Sequence, residues 1–206
     1  MLALLAVLLF LVPAALLAQS EAPPVLSEAE EIRLARSGAP PEVSKAATVL
    51  VLRNGKYVEA VKGTGDVTCL VNRSQPLSLE PECYDAEASA TVLPIQRFQT
   101  EQRIAGTPKQ AIDARVDERL RSGEFRLPRR PALVYMMSAE QVLYNDNGQK
   151  VGPWLPHLMW YFPYMKAADL GMPAANATIS FIGEGTSLSA VVVPVRTSVK
   201  LDSASP

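Results

Sequence analysis

The chain has 206 residues, of which 48% are apolar and 20% are charged, and its formal net charge at pH 7 is −1. This composition excludes a disordered, collagen-like or disulfide-dense chain and is typical of a single globular domain. A net charge near zero also argues against a nucleic-acid partner, because such proteins concentrate an excess of Lys and Arg.

An apolar leader occupies the first 18 residues, which contain 17 apolar residues and one proline. Ala18 and Ser20 provide the small residues that precede cleavage in exported chains. We therefore predict a signal peptide at 1–18, a spacer at 19–27, and a periplasmic or extracellular protein. The alternative is a retained membrane anchor, because 17 apolar residues lie near the lower limit for spanning a bilayer. No later apolar run is long enough to do so.

A capping box begins the globular part of the chain, which we place at 28–198, with a C-terminal tail at 199–206. Ser27 and Glu30 have the spacing at which each side chain bonds the other's backbone. This pattern predicts a short N-terminal helix that extends to about Arg36.

A β-hairpin follows this helix. Two β-rich runs, 48–53 and 56–62, flank the dipeptide at 54–55, which is Asn-Gly and favours a type I′ turn. A third β-rich run at 66–71 suggests an antiparallel meander. Residues 72–90 contain two prolines and many polar residues, so we interpret them as a loop.

Cys69 and Cys83 are the only cysteines of the chain. In an exported protein, two cysteines 14 positions apart predict one structural disulfide, which would fasten the predicted loop to its strand. A redox-active pair is the alternative, but reactive dithiols are usually set as C-x-x-C.

The composition changes at 97–130, where we predict one principal amphipathic helix at about 108–122. Residues 107–110 provide a helix-start pattern, and Gly123 provides a stop. Between them, apolar residues recur every four positions: Ile112, Val116 and Leu120.

The last third of the chain returns to strands. Four β-rich runs are visible, at 132–137, 157–162, 178–182 and 190–195. Together with the two helices, they predict an α+β fold in which a mainly antiparallel sheet is packed against the principal helix.

Catalytic and metal-binding patterns are scarce in this sequence. With His157 as the single histidine, a monomer cannot assemble a site that needs several imidazoles. No serine lies in a G-x-S-x-G context, and the glycines at 63–65 match only part of a dinucleotide-binding motif. We therefore expect no cofactor and no metal. A hydrolase that uses carboxylates with Tyr or His157 stays open, because paired carboxylates leave no spacing in a sequence.

The densest aromatic stretch is 154–164, and it contains our candidate ligand-binding residues. The two faces of a strand in this stretch are His157, Met159 and Tyr161 on one side and Leu158, Trp160 and Phe162 on the other. We assign the second set to the core. The first set, together with Trp154, would line a site for an apolar or aromatic ligand. The alternative is that both faces are buried and that His157 is a hydrogen-bonded core residue.

Four segments of the chain support a resemblance. They are 67–71 (VTCLV), 78–85 (SLEPECYD), 130–138 (RPALVYMMS) and 151–157 (VGPWLPH). The chain resembles a family of uncharacterised exported bacterial proteins over most of 30–196. The resemblance implies export and carries both cysteines as a unit, which fits the disulfide, and it implies no activity, cofactor or catalytic residue.

These observations favour an exported, non-enzymatic protein that binds a small apolar or aromatic ligand, or a protein partner, in the cell envelope. One alternative is a hydrolase that depends on carboxylates, Tyr or His157. A further alternative is a membrane-tethered interaction protein that keeps its leader.

Overall fold

The structure is a computed structural model that describes residues 24–152, 155–172 and 179–196. The predicted signal peptide, most of the spacer, Trp154 and the predicted tail lie outside these residues. None of the helices in the described part of the chain combines the length and the apolar character needed to cross a membrane.

An eight-stranded sheet forms the centre of the protein. Its strands are β1 (Thr48–Arg53), β2 (Lys56–Val61), β3 (Thr68–Asn72), β4 (Glu80–Tyr84), β5 (Ala132–Met136), β8 (His157–Tyr161), β9 (Ser180–Ile182) and β10 (Ala190–Pro194), and a separate hairpin consists of β6 (Leu143–Tyr144) and β7 (Lys150–Val151). The strand order is β2-β1-β3-β4-β5-β8-β10-β9. Among the strands of the described residues, only β1 and β3 pair in parallel, so the sheet is mixed and mostly antiparallel, and the α+β class is confirmed.

Helices cover both faces of the sheet. They are α1 (Glu28–Arg36), α2 (Pro41–Ser44), α3 (Ala86–Ile104) and α4 (Lys109–Ser122), with one 3₁₀ turn at Ala167–Leu170. Helix α1 packs on β1, β3 and β4. Helix α3 packs on the opposite face, across β3, β4 and β5. We call these surfaces the α1 face and the α3 face.

The sheet consists of two halves that are joined by a short ladder. Strands β4 and β5 pair only through Cys83 with Tyr135 and Tyr84 with Val134, and the parallel pair β1 and β3 is equally short. By comparison, the ladder between β5 and β8 contains five residue pairs. Because α3 contacts strands on both sides of this seam, it holds the two halves together.

Local signals predicted the first elements correctly. The Ser27 hydroxyl accepts a hydrogen bond from the Glu30 backbone N–H, and the Glu30 carboxylate accepts one from the Ser27 backbone N–H. The hairpin turn has φ values of 51° at Asn54 and 77° at Gly55, as a type I′ turn requires.

The prediction of a single principal helix is wrong. Helix α4 lies at the predicted position, but α3 has 19 residues and is longer. Sequence reasoning missed α3 because Pro94 lies inside it, and an internal proline normally breaks a helix. The helix persists because Val92 and Leu93 pack on the sheet and Ile95 packs against α4. Its N-cap is Asp85, whose carboxylate accepts from the Ala88 N–H at 2.7 Å.

The interpretation of residues 72–90 as a loop also needs correction, because this region contains β4 and the start of α3. Strand β4 has the sequence EPECY, whose proline and two glutamates are typical of loops. It forms a strand because its polar side chains find partners inside the protein.

The predicted disulfide between Cys69 and Cys83 is present. The two residues face each other directly on the neighbouring strands β3 and β4, and both are buried. The bridge therefore joins two central strands of the sheet, whereas the sequence suggested that it would hold a loop to a strand.

Replacing both cysteines by alanine is expected to lower the free energy of unfolding by about 3 kcal/mol, because the bridge closes a loop of about 15 residues in the unfolded chain. Denaturant unfolding with and without reductant measures this loss. Reductant is expected to destabilise the wild type and to leave the double variant unchanged. Equal stability of the two proteins under oxidising conditions would contradict the prediction.

Candidate functional site

The structure reverses the two faces that we assigned to the strand at 157–162. His157, Met159 and Tyr161 are buried on the α3 face, and His157 is only 2% exposed. Leu158 and Trp160, which we placed in the core, are half-buried on the α1 face. An open ligand face formed by His157, Met159 and Tyr161 is therefore not present, and ligand binding by these residues stays a prediction that requires an enclosed site.

His157 and Tyr161 have polar partners within the interior. The Nδ1 atom of His157 lies 2.8 Å from the Leu155 carbonyl oxygen. Burial lowers the pKa of His157, and the contact with Leu155 partly offsets this effect. The Tyr161 hydroxyl accepts a weak hydrogen bond from Gln96 of α3 at 3.5 Å, and burial raises its pKa. Because α3 supplies this partner, the phenol can face the core.

A cluster of buried polar side chains lies beside these residues, between β3, β4 and α3. Residues Glu80, Glu82 and Tyr84 alternate along β4 and point to the α3 face, where Asn72 of β3 and Thr100 of α3 meet them. We call these five residues the Glu82 cluster. Every member is buried, and Glu82 itself is 3% exposed.

Hydrogen bonds connect most of the cluster. One oxygen of Glu82 accepts from the Asn72 side-chain amide at 3.1 Å, and the other is hydrogen-bonded by the Tyr84 hydroxyl. The Asn72 side-chain oxygen accepts from the Thr100 hydroxyl at 2.8 Å. Both oxygens of Glu82 are therefore engaged by neutral side chains.

Burial raises the pKa of Glu82 to about 8, and the charge of Glu80 acts in the same direction. The hydrogen bonds from Tyr84 and Asn72 only partly offset these effects. Glu82 is therefore mostly protonated at neutral pH. Burial raises the pKa of Glu80 as well, although hydrogen bonds from the Ser74 hydroxyl and backbone N–H oppose this shift.

Enzymes use a protonated carboxyl group beside a tyrosine to donate hydrogen bonds to a negatively charged oxygen of the reacting substrate. In this protein the Glu82 cluster is closed to solvent, so its members act on one another. Sequence reasoning missed it because it interpreted 72–90 as a loop. The available signal was the two-residue alternation of Glu80, Glu82 and Tyr84, which matches a strand with a polar inner face.

The α1 face also carries an apolar surface on strands that α1 does not cover. The pairing registers place six side chains together on this side of β5, β8, β9 and β10. We call this surface the Trp160 face, and its members are Leu133, Leu158, Trp160, Phe181, Val191 and Val193. Leu133 and Val191 are buried, and the other four are half-buried. Among the described elements, no helix packs on β8, β9 or β10 as α1 packs on β1, β3 and β4.

A cleft of about 410 Å³ lies between α3 and the end of α4. Its lining is mainly polar and charged, and the guanidinium of Arg119 stacks 4.1 Å from the centre of the Phe98 ring. Arg119 also pairs with Glu124 at 3.1 Å, so its charge is satisfied within the protein.

No protein-family model, curated protein or solved structure matches the chain. Site residues are therefore assigned from geometry alone. Among the described residues, no three His, Cys, Asp or Glu side chains are grouped so that they could hold a metal ion.

Proposed function

We propose that the protein is an exported, non-enzymatic binding protein, and that its Trp160 face binds an apolar segment of a protein partner in the cell envelope. The observation that carries this proposal is the apolar half of the α1 face, on which no described helix packs and where four of the six side chains are half-buried. The apolar leader and the Cys69–Cys83 disulfide support an oxidising compartment outside the cytoplasm.

The other half of the same face indicates how such a partner would bind. There, Leu34 and Ala35 of α1 pack on Val49, Val71 and the disulfide. The four strands under the Trp160 face span about 14 Å at the usual strand spacing of about 4.8 Å, which accommodates one helix about 10 Å wide. A partner helix would therefore complete the layer that α1 begins.

A protein segment suits this surface better than a small molecule does. Small-molecule sites are usually concave and enclose most of the ligand. The Trp160 face is one side of a sheet, and its cross-strand neighbours Leu133, Trp160 and Val191 form a continuous apolar strip. A small apolar or aromatic ligand, as the sequence suggested for His157, Met159 and Tyr161, would need an enclosed pocket on the opposite face, and the fourth candidate, Trp154, lies outside the described residues.

Site-specific photo-crosslinking tests the proposal. A crosslinking residue at Val193, within the Trp160 face, is expected to capture one envelope protein, which should then bind the purified wild type and not the Val193→Lys variant. The matched control is Val58, a valine on the edge strand β2 that is 44% exposed. The crosslinking residue placed at Val58 should capture no partner. The Val58→Lys variant should bind the captured protein as the wild type does. Equal capture at both positions, or none at Val193, would contradict the proposal.

A hydrolase is the second candidate, and the observation that favours it is the convergence of Glu80, Glu82 and Tyr84 with raised pKa values. The burial of the whole cluster counts against it, because a substrate would reach these groups only if α3 moved away from the sheet.

A further inference from the structure

The outer edge of β9, the last strand of the sheet order, leaves the backbone groups of Phe181 unpaired. The Phe162 N–H donates to the Ser189 carbonyl oxygen at 2.9 Å, so every second residue from Ser189 onward directs its backbone groups to β8. The residues between them, Ala190 and Val192, direct theirs to β9, whose paired residues point back. The N–H and C=O of Phe181 therefore point away from the sheet, and neither has a hydrogen-bond partner in the described part of the chain.

The opposite edge of the sheet, β2, is protected from pairing with another strand. The Tyr57 N–H donates to the Glu101 carboxylate at 3.1 Å, and the Tyr57 carbonyl oxygen accepts from Arg97 at 3.0 Å. Two charged residues on β2 add to this protection, as natural sheets use charges to prevent edge-to-edge pairing. Strand β9 lacks both devices, since no described side chain bonds the Phe181 backbone and no charged residue occurs at 170–183.

The free groups of β9 are complementary to those of a second copy of this strand. Across a two-fold axis at Phe181, two antiparallel β9 strands would bring this residue opposite itself, and each N–H would donate to the carbonyl oxygen of the other. The two half-buried rings would lie on the same side of the joined sheet as a cross-strand aromatic pair. Because 170–183 carries no charge, the pairing would bring no like charges of this segment together.

We propose that β9 is a dimerisation site, at which a second copy of this chain adds its own β9 antiparallel and joins the two eight-stranded sheets. The Trp160 face of each copy includes Phe181 at this edge, so the two faces would become one apolar surface. Eight strands at the usual spacing of about 4.8 Å would make it about 34 Å wide. The inference concerns the edge of the sheet and does not depend on the proposed function.

Sedimentation velocity of the purified protein, from about 10 µM to about 1 mM, tests the dimer. The three residues of β9 bury little area, so we expect a weak dimer whose fraction rises with concentration. Phe181→Pro removes the outward N–H without removing a bond to β10, and it is expected to raise the dissociation constant at least about tenfold. The matched control is Phe181→Leu, which keeps this N–H and should raise the constant less than about fivefold.

Three results would overturn the proposal. In the first, the wild type is a monomer throughout the concentration range. In the second, Phe181→Pro has the dissociation constant of the wild type. In the third, Val193→Lys abolishes the dimer while Phe181→Pro does not, which would assign the dimer to the Trp160 face. A monomer whose Val193 still captures a partner would overturn this inference and leave the proposed function standing.

If Phe181→Pro does not fold, disulfide crosslinking decides. The two native cysteines are bonded to each other, so Phe181→Cys introduces a single free thiol. The Cα atoms of a hydrogen-bonded antiparallel pair are about 5.5 Å apart, which a disulfide can span, so oxidation should give a covalent dimer. Val58→Cys, on the protected edge β2, should stay monomeric. Equal yields of covalent dimer at the two positions, or none at Phe181, would contradict the pairing.

Discussion

Replacing Glu82 by glutamine is expected to stabilise the protein at pH 8 and to leave its stability nearly unchanged below pH 4.5. Folding raises the pKa of Glu82 from 4.5 to about 8, so the folded protein keeps a proton that the unfolded chain releases. The stability that Glu82 contributes is therefore complete below about pH 4.5 and is lost as the pH rises to about 8. Because glutamine does not ionise, the Glu82→Gln variant should keep this part of its free energy of unfolding, which we expect to be roughly 3–5 kcal/mol at pH 8.

Denaturant unfolding at several pH values between 4 and 9 measures this difference. The wild-type curve should fall toward pH 8 more steeply than the Glu82→Gln curve. The control is Glu59→Gln on the exposed side of β2, which should follow the wild type at every pH. Parallel curves for wild type and Glu82→Gln would show that Glu82 is ionised in the folded state.

Replacing Gly63 by alanine is expected to lower the free energy of unfolding by about 3 kcal/mol or more. An added Cβ at this position would lie 2.3 Å from the Thr48 backbone nitrogen and 2.5 Å from the Ala46 carbonyl oxygen. Both atoms belong to the backbone, so relief of the overlap would require the start of β1 to move. Gly63 is therefore required for space, since its φ is not in the left-handed region.

Gly65 provides a matched control in the same loop. An added Cβ there would meet its nearest atom, the Ala46 carbonyl oxygen, at 3.5 Å, which is an ordinary contact. Gly65→Ala should therefore change the denaturation midpoint only slightly. Similar midpoints for the two variants would contradict the proposed clash at Gly63.

Signals that act within a few residues predicted their elements well. The Asn54-Gly55 turn and the Ser27 capping box each need only neighbours in sequence, and both are present. The disulfide was also predictable, because the chain has two cysteines and an apolar leader.

The remaining features depend on partners that are distant in sequence. The Glu82 cluster joins Asn72, Glu82 and Thr100 from three different elements, and no spacing rule connects them. Pro94 hid α3 because the packing that maintains the helix is tertiary. The faces of β8 were reversed because both carry large side chains that can be buried, and the partner of the Tyr161 hydroxyl on the buried side, Gln96 of α3, is distant in sequence.

The short ladder between β4 and β5 divides the sheet into two halves that are each continuous along the chain. Strands β1 to β4 lie within residues 48–84, and the strands of the other half begin at Ala132. A chain that emerges from a ribosome or a secretion channel with its N-terminus first can therefore complete the first half, including the Cys69–Cys83 bridge, before the second half has emerged. The arrival of α3, and then of β5, converts this early folding unit into the full sheet.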